Sequence, residues 1–135
     1  MRSIATYFFV ACLLVSCSSS SNQQPDLKNL SWDQILKQAS GQTVNMMMWQ
    51  GDPNINSYMQ NYVVPEVKKQ YGIDLNIASG QGNTIVSILM SELEAGKQNG
   101  ELDLIWINGE TFYQLRQIDG LYGPFTSQNP NAKSI

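Results

Sequence analysis

Two carboxylates and two tryptophans stand out as residues whose chemistry goes beyond holding a core. Trp49 is followed by Gln50-Gly51-Asp52-Pro53-Asn54, and Trp106 by Ile107-Asn108-Gly109-Glu110. Each string therefore puts an indole, an amide and an acid within a few residues of one turn. Indole faces attract cations, carboxylates hold them by charge, and asparagine offers both donors and acceptors, so Trp49, Asp52, Asn54, Trp106, Asn108 and Glu110 form a candidate ligand-contacting set. Tryptophan at a strand end equally serves as sheet cover, and Asn and Asp equally serve as turn residues. A third stretch, Ser79-Gly80-Gln81-Gly82-Asn83, is a small-residue loop just ahead of an apolar helical pattern, where free backbone N–H groups can cradle an anion and Asn83 adds an amide. It lacks the Gly-Lys-Ser/Thr of a phosphate loop and the dinucleotide-binding glycine spacing, and a plain turn explains it as well. Asp52 and Glu110 are also a formal carboxylate pair for acid–base hydrolysis, but no nucleophile, base or metal set accompanies them.

The elements that position these residues follow from periodicity. Thr43 to Trp49, with Val44 and Met46 to Met48, reads as a strand covered on both faces. Ile73 to Ala78 alternates Ile73, Leu75 and Ile77 as a second strand, and Leu102 to Ile107 is a short apolar run expected as a third, buried strand. Helices are expected between and after them. Leu30 to Ala39 carries a capping box at Ser31 and Gln34; Ile55 to Tyr71 has helical spacing, with Pro65 predicting a kink or fresh start and Gly72 ending it. Thr84 to Glu94 presents Ile85, Ile88, Leu89 and Leu93 on one stripe, widened by Val86 and Met90; Phe112, Leu115 and Ile118 make a final helix stopped by Gly120. Alternating strands and helices imply parallel neighbours and a three-layer α/β domain, which brings the three loops to one sheet edge.

Composition narrows the chemistry further. The chain of 135 residues has no histidine and a formal net charge of −3 with no basic run, which disfavours hydrolytic or zinc catalysis and nucleic acid as a partner. No cofactor is expected. At the amino terminus, Arg2 precedes an apolar run from Ile4 to Val15 that is too short to span a bilayer, as in a signal peptide. Leu14-Val15-Ser16-Cys17 resembles the lipobox of bacterial lipoproteins, which implies a signal over 1–16 and acylation of Cys17; an ordinary cleaved signal with an incidental cysteine is the alternative. Residues 17–29 read as a polar tether, and the acyl chains would hold the protein on a membrane. Ser18 after the cysteine, by likeness to Gram-negative sorting, favours the outer membrane. Cys12 would leave with the signal, so no disulfide is expected in the mature domain.

A family resemblance lies on these same strings. Gly41-Gln42-Thr43-Val44 running into Met48-Trp49-Gln50-Gly51-Asp52-Pro53-Asn54-Ile55-Asn56, then Tyr71-Gly72-Ile73, Asp103-Leu104-Ile105-Trp106-Ile107-Asn108-Gly109-Glu110-Thr111-Phe112 and Leu121-Tyr122-Gly123-Pro124-Phe125, resembles the amino-terminal part of the YnjB-type solute-binding proteins of ABC transporters. The resemblance spans Trp32 to Phe125, with Trp-Ile-Asn-Gly-Glu its most specific piece. Gln50 departs from it, standing where the family usually has a second glycine. The resemblance implies a periplasmic-binding-protein-like fold (type II) with two lobes, of which residues 30–135 are the first part of lobe I in a truncated or split product. It further implies a non-enzymatic, lipid-anchored component of the cell envelope that captures a small solute for an ABC permease and its ATPase subunits. A structural lipoprotein and a carboxylate-pair lipoprotein hydrolase are the competing classes.

Overall fold

The computed structural model describes residues 29–125, 129, 131 and 132. The signal, Cys17 and most of the tether lie outside the described residues. Helix α1 (Trp32–Ala39) starts at Ser31, whose hydroxyl accepts from the Gln34 amide while the Gln34 side chain accepts from the Ser31 N–H at 2.8 Å, the expected capping box. Strand β1 (Thr43–Met48) follows, then α2 (Pro53–Tyr58), a π-helical turn (Met59–Val63) and α3 (Val64–Tyr71). Next come β2 (Asp74–Ser79), α4 (Gly82–Glu94), β3 (Leu104–Trp106) and α5 (Gly109–Gln117). The fold is mixed α/β around a parallel three-stranded sheet of order β2-β1-β3.

Strand β1 is central, and its consecutive methionines point to opposite layers because side chains alternate along a strand. Met46 and Met48 pack with Met59 of the π-helical turn, joined by Val63, Leu75 and Ile77. Met47 packs on the other face with Ile85 of α4 and Leu115 of α5. The unbranched methionines thus serve as two-sided filler in the one strand that both helical layers cover.

A fresh element does begin at Pro65, as expected, since α3 opens at Val64 with the proline in its first turn, but no break separates it from the preceding turn: Val64 keeps right-handed helical geometry, with φ −56° and ψ −54°. The helix instead widens for one turn, so that the Val64 N–H bonds to the Met59 carbonyl, five residues back. Proline lacks the N–H for an ordinary helical bond and its ring crowds the carbonyl four residues earlier; a wider turn beside it accommodates both. Helix α3 ends as expected at Gly72, in the left-handed region with φ 71°. At the end of α5 the expectation fails by one residue. Asp119, not Gly120, takes the left-handed position with φ 51°, and the Gly120 N–H closes back on the Leu115 carbonyl at 2.9 Å.

The third strand is shorter and more open than its composition suggests. It holds three residues, and Leu104 and Trp106 are 48% and 53% exposed. As an edge strand, it packs only the side of Ile105 against α4 and α5; the register Met46 to Leu104 and Met48 to Trp106 puts its other side on the sheet face that α2 and α3 cover elsewhere. In α4, Ile85 is buried and Val86, Ile88 and Leu89 pack on the core, whereas Leu93 and Met90 are exposed. Phe112 in α5 is likewise half exposed.

Candidate functional site

Because all three strands run parallel, their carboxyl ends lie at one edge of the sheet, and each is followed there by a helix. The linkers are tighter than the sequence suggests. Asn54, Asn83 and Glu110, expected in loops, lie in the first turns of α2, α4 and α5, because the helices begin directly after Asp52, Gln81 and Asn108. The edge therefore presents three helix amino termini rather than three open loops.

Two of those termini satisfy themselves. Asp52 Oδ1 accepts from the Asn54 N–H at 2.7 Å and the Ile55 N–H at 3.2 Å, with Pro53 at the first helical position. Asn108 Oδ1 accepts from the Thr111 N–H at 2.9 Å. The carboxylate and amide singled out in the sequence are thus employed as caps. Helix α4 differs: its cap residue, Gln81, makes no side-chain hydrogen bond to the first turn. Asn83 Oδ1 accepts from the adjacent Thr84 N–H at 2.9 Å. Glu110 is exposed in the first turn of α5, where the helix dipole favours an acid.

The two tryptophans do not occupy equivalent positions. Trp106 is the last residue of β3 and pairs with Met48, whereas Trp49 lies one residue beyond the end of β1. Trp49 lies so closely over Gly51 that a Cβ there would fall within 2.2 Å of two ring atoms. Both indoles are 53% exposed. Among the described residues the stacked rings are Tyr58 with Tyr62 and Tyr122 with Phe125, not these two.

Packing joins two of the three helix starts. A Cβ on Gly82 would lie 2.0 Å from Thr111 Oγ1 and 3.2 Å from Thr111 Cβ, so the starts of α4 and α5 touch through a position that only glycine fits. Thr111 itself is buried. Two further residues escaped the sequence reading. Asn56 donates from Nδ2 to the Gln50 carbonyl at 3.0 Å, bracing the first linker, and its Oδ1 is buried with no hydrogen-bond partner; its place at the end of the Gly51–Asn56 string was the available signal. Glu92, buried on α4, accepts from the Glu101 N–H at 2.7 Å and pairs with Lys97 at 3.5 Å, which anchors the segment leading into β3. Nothing in the helical spacing marked it. Lys97 also reaches Glu101 at 3.2 Å, and that hydrogen bond, followed by the two carboxylates' charges, raises its pKa above the usual lysine value despite an opposing desolvation.

Among the described residues no group of three or more His, Cys, Asp or Glu could hold a metal ion, and no helix is long and apolar enough to cross a membrane. No family model matches the chain, and no solved structure matches it. The chain is 36% identical over 106 residues to Protein YnjB of Escherichia coli (strain K12), an alignment covering 77% of this chain and 27% of that protein. It therefore spans about a quarter of the length of the relative it matches, and over that stretch it is YnjB-like.

Proposed function

We propose that the chain is the amino-terminal part of the first lobe of a two-lobed, extracytoplasmic solute-binding component of an ABC importer, anchored by acylation of Cys17, that hands a small solute to a membrane permease and its ATPase. The observation that carries this reading is the edge itself: the amino terminus of α4, whose cap residue makes no side-chain hydrogen bond, against the start of α5 at the carboxyl end of a parallel sheet, with the half-exposed Trp49 just past the end of the neighbouring β1. The YnjB likeness supports it. Asp52 and Asn108 act as positioning residues that hold α2 and α5 in place, rather than as ligand contacts.

The same geometry favours one solute class over another. Asp52 Oδ1 is occupied by backbone amides, which weakens the case for a cation, while the first turn of α4 retains donors that its cap residue leaves free. The solute therefore presents an anionic or acceptor group to α4 and an apolar part to Trp49. Titrating the full chain with panels of small anions, cations and sugars, followed by tryptophan fluorescence, tests this. The anionic or acceptor-rich class changes the emission, and Trp49→Ala weakens the response about tenfold, the worth of roughly 1.4 kcal/mol of contact. A response confined to cations, or none, overturns it. Radiolabelled palmitate entering the wild type but not Cys17→Ser tests the anchor; label in both contradicts it.

A further inference from the structure

Three lysines of this fold are held by carboxylates: Lys68 reaches Asp74 at 2.7 Å, Lys69 reaches Glu66 at 3.3 Å, and Lys97 reaches Glu101 at 3.2 Å. Arg116, in the last turn of α5, has neither a hydrogen-bond nor an ion-pair partner among the described residues. Its surroundings are apolar. It borders a groove of about 620 Å³ whose lining includes Ile105, Ile107, Phe112, Tyr122 and Phe125 and no acid. Phe112 stands four residues before Arg116, on the same face of α5. The rings of Tyr122 and Phe125 lie nearly parallel, at 12° with centroids 6.5 Å apart, and both are more than half exposed. The hollow beside β2 differs, because the cation that lines it, Lys68, is already neutralised by Asp74.

A concave, mainly apolar space of this size with one charged group on its wall has the form of a small-molecule site. The two parts of the lining select for two parts of a ligand. Burying an apolar body against the aromatic rings supplies affinity in proportion to the area removed from water. The planar guanidinium, less strongly hydrated than an ammonium, matches a carboxylate or phosphate with two parallel hydrogen bonds. An exposed ion pair alone is worth little, so a bare anion gains too little from Arg116 to stay. A cation with the same apolar body meets repulsion instead. We infer that this groove binds a small amphipathic anion, a carboxylate or phosphate monoester on an apolar body, with Arg116 taking the charged group and Phe112, Tyr122 and Phe125 covering the body. The inference does not rest on the solute reading, since Trp49, Gly82 and Thr111 all lie outside the lining of this groove.

Calorimetric titration of the full chain tests it, with decanoate, decyl phosphate, decyltrimethylammonium and acetate as probes, each kept below the concentration at which it forms micelles. The expected result is saturable binding of decanoate and decyl phosphate, with acetate and decyltrimethylammonium at least about tenfold weaker. Arg116→Met and Phe112→Ala should each weaken decanoate about tenfold or more, the loss expected when a charged hydrogen-bonding partner or an aromatic wall is removed. Lys69→Met, which deletes one positive charge on α3, should leave it unchanged. Both Arg116 and Phe112 are exposed, so these variants keep the fold, which circular dichroism checks. Decanoate binding that neither Arg116→Met nor Phe112→Ala weakens would place the anion elsewhere and overturn the inference, whether or not the solute reading holds. Equal binding of decyltrimethylammonium, no binding of either anionic amphiphile, or association with anionic phospholipid vesicles but not with the free amphiphiles overturns it as well.

Discussion

Replacing Gly82 by alanine tests whether the starts of α4 and α5 are locked together as one site. The new methyl would sit 2.0 Å from Thr111 Oγ1, against roughly 3.5 Å for a comfortable contact, so one partner must retreat by more than an ångström. Thr111 cannot retreat freely: it is 5% exposed, and its N–H is held by Asn108 at 2.9 Å. Overpacking of this kind costs about 1–3 kcal/mol, from which a gain in helix propensity of at most ~1 kcal/mol is to be subtracted. With the full gain subtracted, Gly82→Ala should destabilise by up to about 2 kcal/mol. In a Thr111→Ala background the hydroxyl and methyl are gone, and the remaining 3.2 Å approach to Cβ needs a shift of only a few tenths of an ångström. There the same substitution should be neutral or mildly stabilising. Urea unfolding of the four proteins measures the cycle, with the unfolding slopes required to agree. Equal costs of Gly82→Ala in both backgrounds, within about 0.5 kcal/mol, would refute the interlock.

Four other outcomes follow from the packing. Leu115 is fully buried between α4 and β1, so Leu115→Ala should cost about 2–5 kcal/mol in the same denaturation assay. Asp119→Gly should stabilise by about 0.5–1 kcal/mol, because a left-handed position at φ 51° then carries no Cβ. Glu92→Ala should destabilise by roughly 1–3 kcal/mol and speed amide exchange at Glu101, whose N–H loses its acceptor. Lys97 has a folded-state pKa above its unfolded value, so its contribution is present at neutral pH and fades as pH rises through the folded value; thermal scans of wild type and Lys97→Met in alkaline buffers should converge there and differ at neutral pH.

Local chemistry made much of this fold legible in the sequence. The Ser31 and Gln34 box, the Gly72 terminus and the alternating Leu75 and Ile77 each depend on neighbours a few residues away, and each lies where the spacing puts it. The convergence of three turns at one sheet edge followed from strand and helix order alone. What escaped depends on distant partners. An apolar run such as Leu102 to Ile107 looks alike whether one or two faces are covered, and only the place of β3 at the edge leaves Leu104 and Trp106 open. The Asp52 and Asn108 side chains are equally suited to caps and to ligands, and the start of each helix decides the matter. The π-helical turn before Pro65 is a compromise between proline sterics and the packing of Met59 and Val63 on β1, which no local pattern encodes.

The most direct test of the central claim is thermal unfolding of the full chain, alone and with each class of small solute. A solute bound to the folded state at about a hundred times its Kd adds roughly 2.7 kcal/mol, which for a domain of this size raises Tm by about ten degrees or more. The account predicts one cooperative transition that an anionic or acceptor-bearing solute raises by that amount, and that Trp49→Ala raises less. A transition that no solute class moves would contradict it.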